Sequence, residues 1–263
     1  WVFEKYNVPF IDAAKLGGRD AVIYPVYWNK DFVSKYSDMV KELAKRYDGN
    51  PNIEFVQVGG VGRWEETYIH TDNEAMTKEW QRLGYSHERY IEHCKQMCRV
   101  FKKYFNKTPV VLSLSIGGPD AKTDDRTVIG YKLAEFAVAN KLWLKQNGMQ
   151  SHYSYSDHDH FSRIFTKYIG KTKRLYEEGV PVTENGWDLS TFRSYINRAL
   201  VDCPDYLWIY QVDLARPEFA EDIKYAAEHM SMKSYRDAGP LYIKFRQYKH
   251  YYENRKYNAV VED

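Results

Sequence analysis

Several features that define other protein classes are scarce or missing in this 263-residue sequence. No apolar run approaches the roughly 18 residues that a membrane-spanning helix needs. The formal net charge is only +2 and no block of Lys and Arg stands out, which argues against a dedicated nucleic-acid surface. No glycine-rich nucleotide fingerprint follows a predicted strand, so nucleotide binding loses most of its support.

Cysteine is also scarce, with three residues at Cys94, Cys98 and Cys203. Cys94 and Cys98 lie four residues apart in a helical pattern, where the geometry of a disulfide is poor. We therefore expect free thiols. The chain begins at Trp1 rather than Met, which leads us to expect that a preceding segment, with any targeting signal, is missing from this sequence.

Aromatic residues are abundant, with 24 Tyr, 12 Phe and 7 Trp making up 16% of the chain. Tyr and Trp combine a flat apolar face with a polar edge. Such side chains suit the faces of sugar rings as well as protein cores, so the composition leans slightly towards a carbohydrate ligand.

Strand and helix patterns alternate along the chain, which is typical of a parallel sheet. Both a doubly wound sheet and a (β/α) barrel fit this alternation. The predicted strands cover 8–14, 53–58, 109–115, 142–146, 180–184 and 206–214. The predicted helices cover 31–47, 86–104, 127–140, 160–178, 189–201 and 217–229. We expect one domain over 1–238 and a packed C-terminal extension over 239–263.

Carboxylates and tryptophans follow two of these strands. The strand 53–58 runs through glycines into Trp64, Glu65 and Glu66, and the strand 180–184 ends in Glu184. In parallel barrels the active site collects at the carboxyl ends of the strands. Two carboxylates that face each other across a pocket are what glycosidic bond cleavage requires.

The segment RYDGNPNIEFVQVGGVGRWEE resembles the fourth β/α unit of clan A glycoside hydrolases, and VPVTENG resembles their seventh strand. More narrowly, the chain is similar to bacterial beta-galactosidase-like and cellulase-superfamily barrels, although their usual Asn-Glu pair is absent. The resemblance implies an eight-stranded (β/α) TIM barrel that lacks its first one or two strands here. It also implies a retaining glycoside hydrolase, with Glu184 as nucleophile and Glu66 as acid/base.

The same resemblance and the strand ends suggest further residues for the substrate. The resemblance implies a carbohydrate partner, no cofactor and no metal. It also implies a secreted or periplasmic protein rather than a cytoplasmic one. Neither the sugar nor the oligomeric state follows from these residues. The candidate substrate-binding residues are Trp64, Glu65, Asn185, Trp187, Trp208, Tyr155, Lys145 and Asp12.

Two other functions fit the sequence. The departure from the Asn-Glu pair and the missing strands suit a non-catalytic carbohydrate-binding or scaffold barrel. The stretch QSHYSYSDHDH at 150–160 concentrates histidines and aspartates, which are zinc ligands, and so suits a metal-dependent hydrolase.

Overall fold

The structure is a computed structural model. It describes residues 2–18, 21–60, 69, 71, 73–114, 123–149, 164–165, 167–178, 181–184, 186, 192–193, 195–196, 199–200 and 203–230. These residues have a mixed α/β fold with parallel strand pairs. The chain divides into two compact units, Trp1–Trp143 and Leu144–Asp263, and each is described by itself.

The first unit contains most of the helices in the described part of the chain. Its helices are α1 (Val2–Tyr6), α2 (Lys30–Tyr47), α3 (Glu74–Arg82), α4 (His87–Tyr104) and α5 (Thr123–Ala139). Its strands are β1 (Phe10–Asp12), β2 (Ile23–Pro25), β3 (Val56–Gln57) and β4 (Val110–Ser113).

The second unit begins one residue into strand β5 (Trp143–Met149). Its other strands are β6 (Arg174–Glu178) and β7 (Tyr206–Trp208). Two helices follow, the single turn α6 (Gln211–Leu214) and α7 (Ala220–His229).

Helices α2 and α4 form where the sequence predicts them, because capping residues and apolar spacing agree. The side chain of Asn29 accepts from the backbone N–H of Phe32 at the start of α2, and Ser86 accepts from Arg89 at the start of α4. At the end of α2, the Asp48 carboxylate accepts backbone N–H groups that precede β4. These bonds fix the end of α2 to the start of β4.

The buried face of α4 carries Tyr90, Cys94, Met97, Cys98 and Phe101, at the three- and four-residue spacing of a helix. All three cysteines are free and buried, as predicted. Burial raises the pKa of the Cys94 thiol to about 12, so this thiol is inert in the folded protein.

Strand β1 is the first departure from the predicted barrel. It pairs with β2 in an antiparallel two-stranded sheet, with Ile11 opposite Tyr24. The chain reverses after β1 through a 3₁₀ turn that ends at Gly17, whose φ of 72° suits glycine. The expectation that the strand predicted over 8–14 belongs to the parallel sheet is therefore wrong, because this segment pairs antiparallel with its own neighbour.

The second departure concerns residues 160–184. The predicted helix over 160–178 is wrong at its end, where Arg174–Glu178 form β6. The predicted strand over 180–184 is wrong in its described part, because residues 182–184 form a turn. The strand at this place in the order is thus RLYEE, whose charged residues read as a helix surface although Arg174 and Glu178 are buried.

The third departure is at the predicted strand 206–214. Only Tyr206–Trp208 are extended, and the chain then turns into α6. The helix predicted over 217–229 is present, with a 3₁₀ turn at Pro217–Phe219 leading into α7.

His93 is a buried polar residue of the first unit. Its Nε2 donates to the carbonyl oxygen of Gly60 over 2.9 Å, while its Nδ1 is buried with no hydrogen-bond partner. Gly60 itself has a φ of 88°, and a Cβ there would lie 2.8 Å from the Cε of Met97. Burial lowers the pKa of His93 from 6.5 to about 4, since a charged imidazole would lose its hydration.

We expect this histidine to make stability fall in acid. Below pH 6.5 the unfolded chain binds a proton that the folded protein does not accept until about pH 4. The free energy of unfolding should therefore drop by on the order of 3 kcal/mol across that window. Urea unfolding at a series of pH values would measure it for the wild type and for His93→Gln, which cannot titrate.

The matched control is His87→Gln, on the same helix. It should keep the wild-type pH dependence, whereas His93→Gln should show a shallower fall. Equal slopes for the wild type and His93→Gln would contradict the assignment.

Candidate active site at the carboxyl ends of the parallel strands

The register of the second unit decides which side chains share a face of the sheet. β5 and β6 are parallel with Lys145 opposite Leu175, and β6 and β7 are parallel with Leu175 opposite Tyr206. Glu177 lies opposite Trp208, one pleat nearer the carboxyl ends. Side chains opposite each other in a sheet share a face, and alternate residues of a strand do too. Lys145, Glu177 and Trp208 therefore lie on one face.

Lys145 reaches along this face to the level where the strands end. Two residues of a strand cover about 6.6 Å, a distance that four methylene groups can span. The ammonium of Lys145 forms an ion pair with the Glu177 carboxylate and lies 4.5 Å from the centre of the Trp208 ring. The Lys145 side chain is fully buried, whereas Trp208 is 42% exposed. An indole ring thus separates a buried ion pair from the solvent at the carboxyl end of β7.

The opposite face of these strands is occupied by packing. The ring of Tyr176 lies 4.7 Å from that of Phe165. The guanidinium of Arg174 donates to the carbonyl oxygens of Phe165 and Cys203. This face is therefore covered, whereas on the face with Lys145 the ring of Trp208 is partly exposed.

Glu178 follows Glu177 directly and therefore points to the covered face. It accepts from the backbone N–H of Tyr210 over 2.9 Å and lies against the carboxyl group of Asp213. Asp213 in turn accepts from the backbone N–H groups of Val182 over 2.6 Å and Thr183 over 2.8 Å. The Asp213 carboxylate is fully buried and holds the turn at 181–184.

The two buried carboxyl groups have pKa values shifted in opposite directions. Burial, with the neighbouring Asp213 adding to it, raises the pKa of Glu178 to about 8. Burial opposes ionisation of Asp213 as well, but hydrogen bonds from Thr183 and Glu178 lower its pKa. Burial raises the pKa of the Tyr195 hydroxyl well above 10, and the nearby carboxyl group of Glu178 adds to this rise. The raised pKa favours the protonated form of Glu178, which can donate a hydrogen bond to the neighbouring Asp213 carboxylate.

Four of the predicted site residues lie in the described part of the chain, namely Asp12, Lys145, Glu184 and Trp208. Glu184 is exposed in the turn that Asp213 holds, so it does not end a strand. Asp12 is in the first unit, where it pairs with Lys15. Six further predicted residues lie outside the described residues, namely Trp64, Glu65, Glu66, Tyr155, Asn185 and Trp187. Lys145 and Trp208 are the two predicted residues that meet.

Sequence reasoning missed Glu177, Glu178 and Asp213. A signal for the first two was present, since Glu177 and Glu178 precede a glycine as strand-terminal carboxylates do. The misassigned helix over 160–178 concealed it. Asp213 lies near the end of the strand predicted over 206–214, and nothing in the sequence marks it as the anchor of a turn.

The described part of the chain contains no group of three or more side chains that could hold a metal ion. The histidines at 150–160 lie outside it, so the metal-dependent alternative stays a prediction without support. Within the same described ranges, no helix is long and apolar enough to cross a membrane.

Comparison with known proteins gives few matches. No family model matches the chain, and no curated protein matches it. Among solved structures, the chain is similar to "Structure of morphinone reductase in complex with tetrahydroNAD", with 14% identity and a TM-score of 0.45. The match covers 83% of this chain and 56% of that chain. At this level the likeness transfers neither fold nor activity.

The prediction of a clan A glycoside hydrolase is wrong. No glycosidase family model, and no other family model, matches the chain. The structural premise fails as well, because residues 182–184 of the motif form a turn and no described strand ends at Glu184. The β-branched residues of this motif are compatible with a strand, but hydrogen bonds to Asp213 hold Val182 and Thr183 in a turn.

The raised pKa of Glu178 predicts that stability falls as the pH rises from 4.5 to about 8. The folded protein keeps a proton on Glu178 that the unfolded chain releases above pH 4.5. Its contribution is therefore complete below pH 4.5 and lost as the pH rises through about 8. Glu178→Gln, whose amide donates to Asp213 at any pH, should unfold at higher urea than the wild type in alkali.

Glu221→Gln, an exposed change in α7, serves as the control and should track the wild type. If the wild type and Glu178→Gln lost stability in parallel between pH 4.5 and about 8, Glu178 would not hold the proton.

Proposed function

We propose that the second unit binds a small organic molecule at the carboxyl ends of β5, β6 and β7, and that Lys145 and Glu177 exchange protons with it as an enzyme's acid and base. The observation that carries the proposal is the buried ion pair beneath the partly exposed ring of Trp208. Ligands of open α/β sheets bind outside the carboxyl ends of strands.

Stability alone is a poor reason to bury this pair. Two charges lose their hydration on burial. Replacing a buried ion pair by apolar residues of similar volume often leaves the stability of a protein unchanged or increases it. A buried pair at a strand end, with an aromatic ring at its mouth, has the composition of a ligand site.

The pair provides both partners of a proton transfer. The ammonium of Lys145 can donate, and the carboxylate of Glu177 can accept. Because the two are in contact and shielded from water, a proton can pass between them without the cost of separating charges in a low-dielectric site. Trp208 offers an exposed apolar surface against which a planar ligand can pack.

We also propose that the described parallel strands are part of an eight-stranded (β/α) barrel. The strand–helix alternation of the sequence and the parallel registers of β3–β4 and of β5–β6–β7 support this. An experimental structure of the complete protein with eight parallel strands closed on themselves would meet the expectation, and an open sheet would refute it.

A double variant separates function from stability. Replacing the pair by apolar residues, Lys145→Met with Glu177→Leu, should leave the free energy of unfolding unchanged or raise it by up to about 4 kcal/mol. Ligand affinity should fall at least about tenfold, a change of about 1.4 kcal/mol. Calorimetric titration with pyruvate, dihydroxyacetone and glucose measures binding, and the glucose arm tests the predicted carbohydrate partner.

The matched control is Lys224→Met with Glu228→Leu, which removes the same two residue types from an exposed pair on α7. It should bind as the wild type does. The proposal is wrong if the wild type binds none of the three compounds, or if the Lys145 and Glu177 double variant binds them equally well.

A further inference from the structure

We propose that Lys145 forms a covalent imine with an aldehyde or ketone, with Glu177 moving the protons. This rests on the proposed function, since it names the substrate class of the same site. A primary amine held at a strand end beside a carboxylate is the arrangement that carbonyl condensation needs.

The placement of Lys145 supports a nucleophile over a surface cation. Its side chain is fully buried and its ammonium contacts groups from two neighbouring strands, Glu177 on β6 and Trp208 on β7. The site is built on strands, which hold catalytic groups more rigidly than loops do. The partly exposed ring of Trp208 packs on the amine, so we expect a carbonyl compound to reach the amine alongside that ring.

The chemistry balances with these two residues alone. Glu177 first takes one proton from the Lys145 ammonium, which leaves a neutral amine and a carboxylic acid. The amine nitrogen bonds to the carbonyl carbon, the C=O π bond breaks, and a proton passes from nitrogen to oxygen to give a carbinolamine. Glu177 then returns its proton to the hydroxyl group, water leaves, and the nitrogen lone pair forms the C=N bond of a protonated imine.

No oxidant, reductant or further reactant enters this sequence. Its net result is one carbonyl compound and one ammonium converted to one iminium and one water. Glu177 begins and ends as a carboxylate, so its role is that of acid and base in turn.

Because Lys145 is buried, imine formation at Lys145 can be distinguished from the reaction of an exposed lysine. An exposed lysine reacts with carbonyl compounds in simple proportion to their concentration, whereas a buried lysine reacts only from a bound complex. Lys173 provides the comparison within the same unit, since its ammonium lies 3.2 Å from the Asp205 carboxylate but is 49% exposed.

The experiment traps the imine with sodium borohydride in the presence of pyruvate or of dihydroxyacetone. Peptide mass spectrometry then reports the reduced adduct at each lysine, as a function of carbonyl concentration. We expect an adduct at Lys145 that saturates, and one at Lys173 that does not.

Two variants test the roles separately. Lys145→Arg keeps the positive charge and the ion pair but cannot form an imine, so its adduct at this position should vanish while the fold persists. Glu177→Gln keeps the amine, and trapping at Lys145 should slow by about a hundredfold, the usual size of a general acid–base contribution. Circular dichroism confirms that each variant is folded.

The outcomes distinguish the two proposals. If calorimetry shows that the wild type binds pyruvate or dihydroxyacetone but Lys145 stays unmodified, the imine is refuted and the binding site stands. If neither compound binds and neither is trapped, both proposals fail. Trapping at Lys145 that is unsaturable and equal to that at Lys173 also refutes the imine.

Discussion

The parallel register of β5, β6 and β7 is the constraint on which the second unit depends. It sets Lys145 one pleat below Glu177 and Trp208 on a single face, so a long side chain is needed for the charges to meet. A register slip of one residue would turn Lys145 into the covered face, where Tyr176 packs against Phe165. The same slip would bring Leu144 to the face that Lys145 now occupies, leaving the Glu177 carboxylate without its cation.

The alternation of strand side chains gives two adjacent glutamates different environments. Glu177 meets an ammonium and is balanced by its charge, whereas Glu178 meets another carboxyl group and keeps its proton. One backbone thus supplies an ionised acid on one face and a neutral acid on the other. The neutral acid is structural, because its partner Asp213 fastens the turn at 181–184 to the start of α6.

The sequence was sufficient for the elements whose local signals agree. Helices α2 and α4 combine capping residues with a regular apolar face, and β4 is a short buried apolar run, so their positions follow from pattern alone. β6 could not be found in this way, because Arg174 and Glu178 are charged yet buried. Their partners, Cys203 and Tyr210, lie about 30 residues further along the chain, a pairing that only the tertiary fold creates.

Sequence reasoning could find only part of the candidate site, again because β6 does not follow from the sequence pattern. Lys145 follows from the end of the predicted strand 142–146 and Trp208 from the family resemblance, but Glu177, the carboxylate that joins them, lies in a segment with a helical charge pattern. The β-rich motif around Glu184 predicts a strand that ends in a catalytic carboxylate, although Asp213 holds its backbone in a turn. Local propensity favours a strand there, but three hydrogen bonds that the distant Asp213 carboxylate accepts override it.

The buried cysteines give each unit its own chemical reporter. Cys94 and Cys98 belong to the first unit and Cys203 to the second, and all three are shielded from solvent. A thiol reagent can therefore modify them only when the surrounding structure opens. The rate of alkylation at Cys203, compared with that at Cys94, would tell whether the two halves of the chain open as one cooperative body or separately.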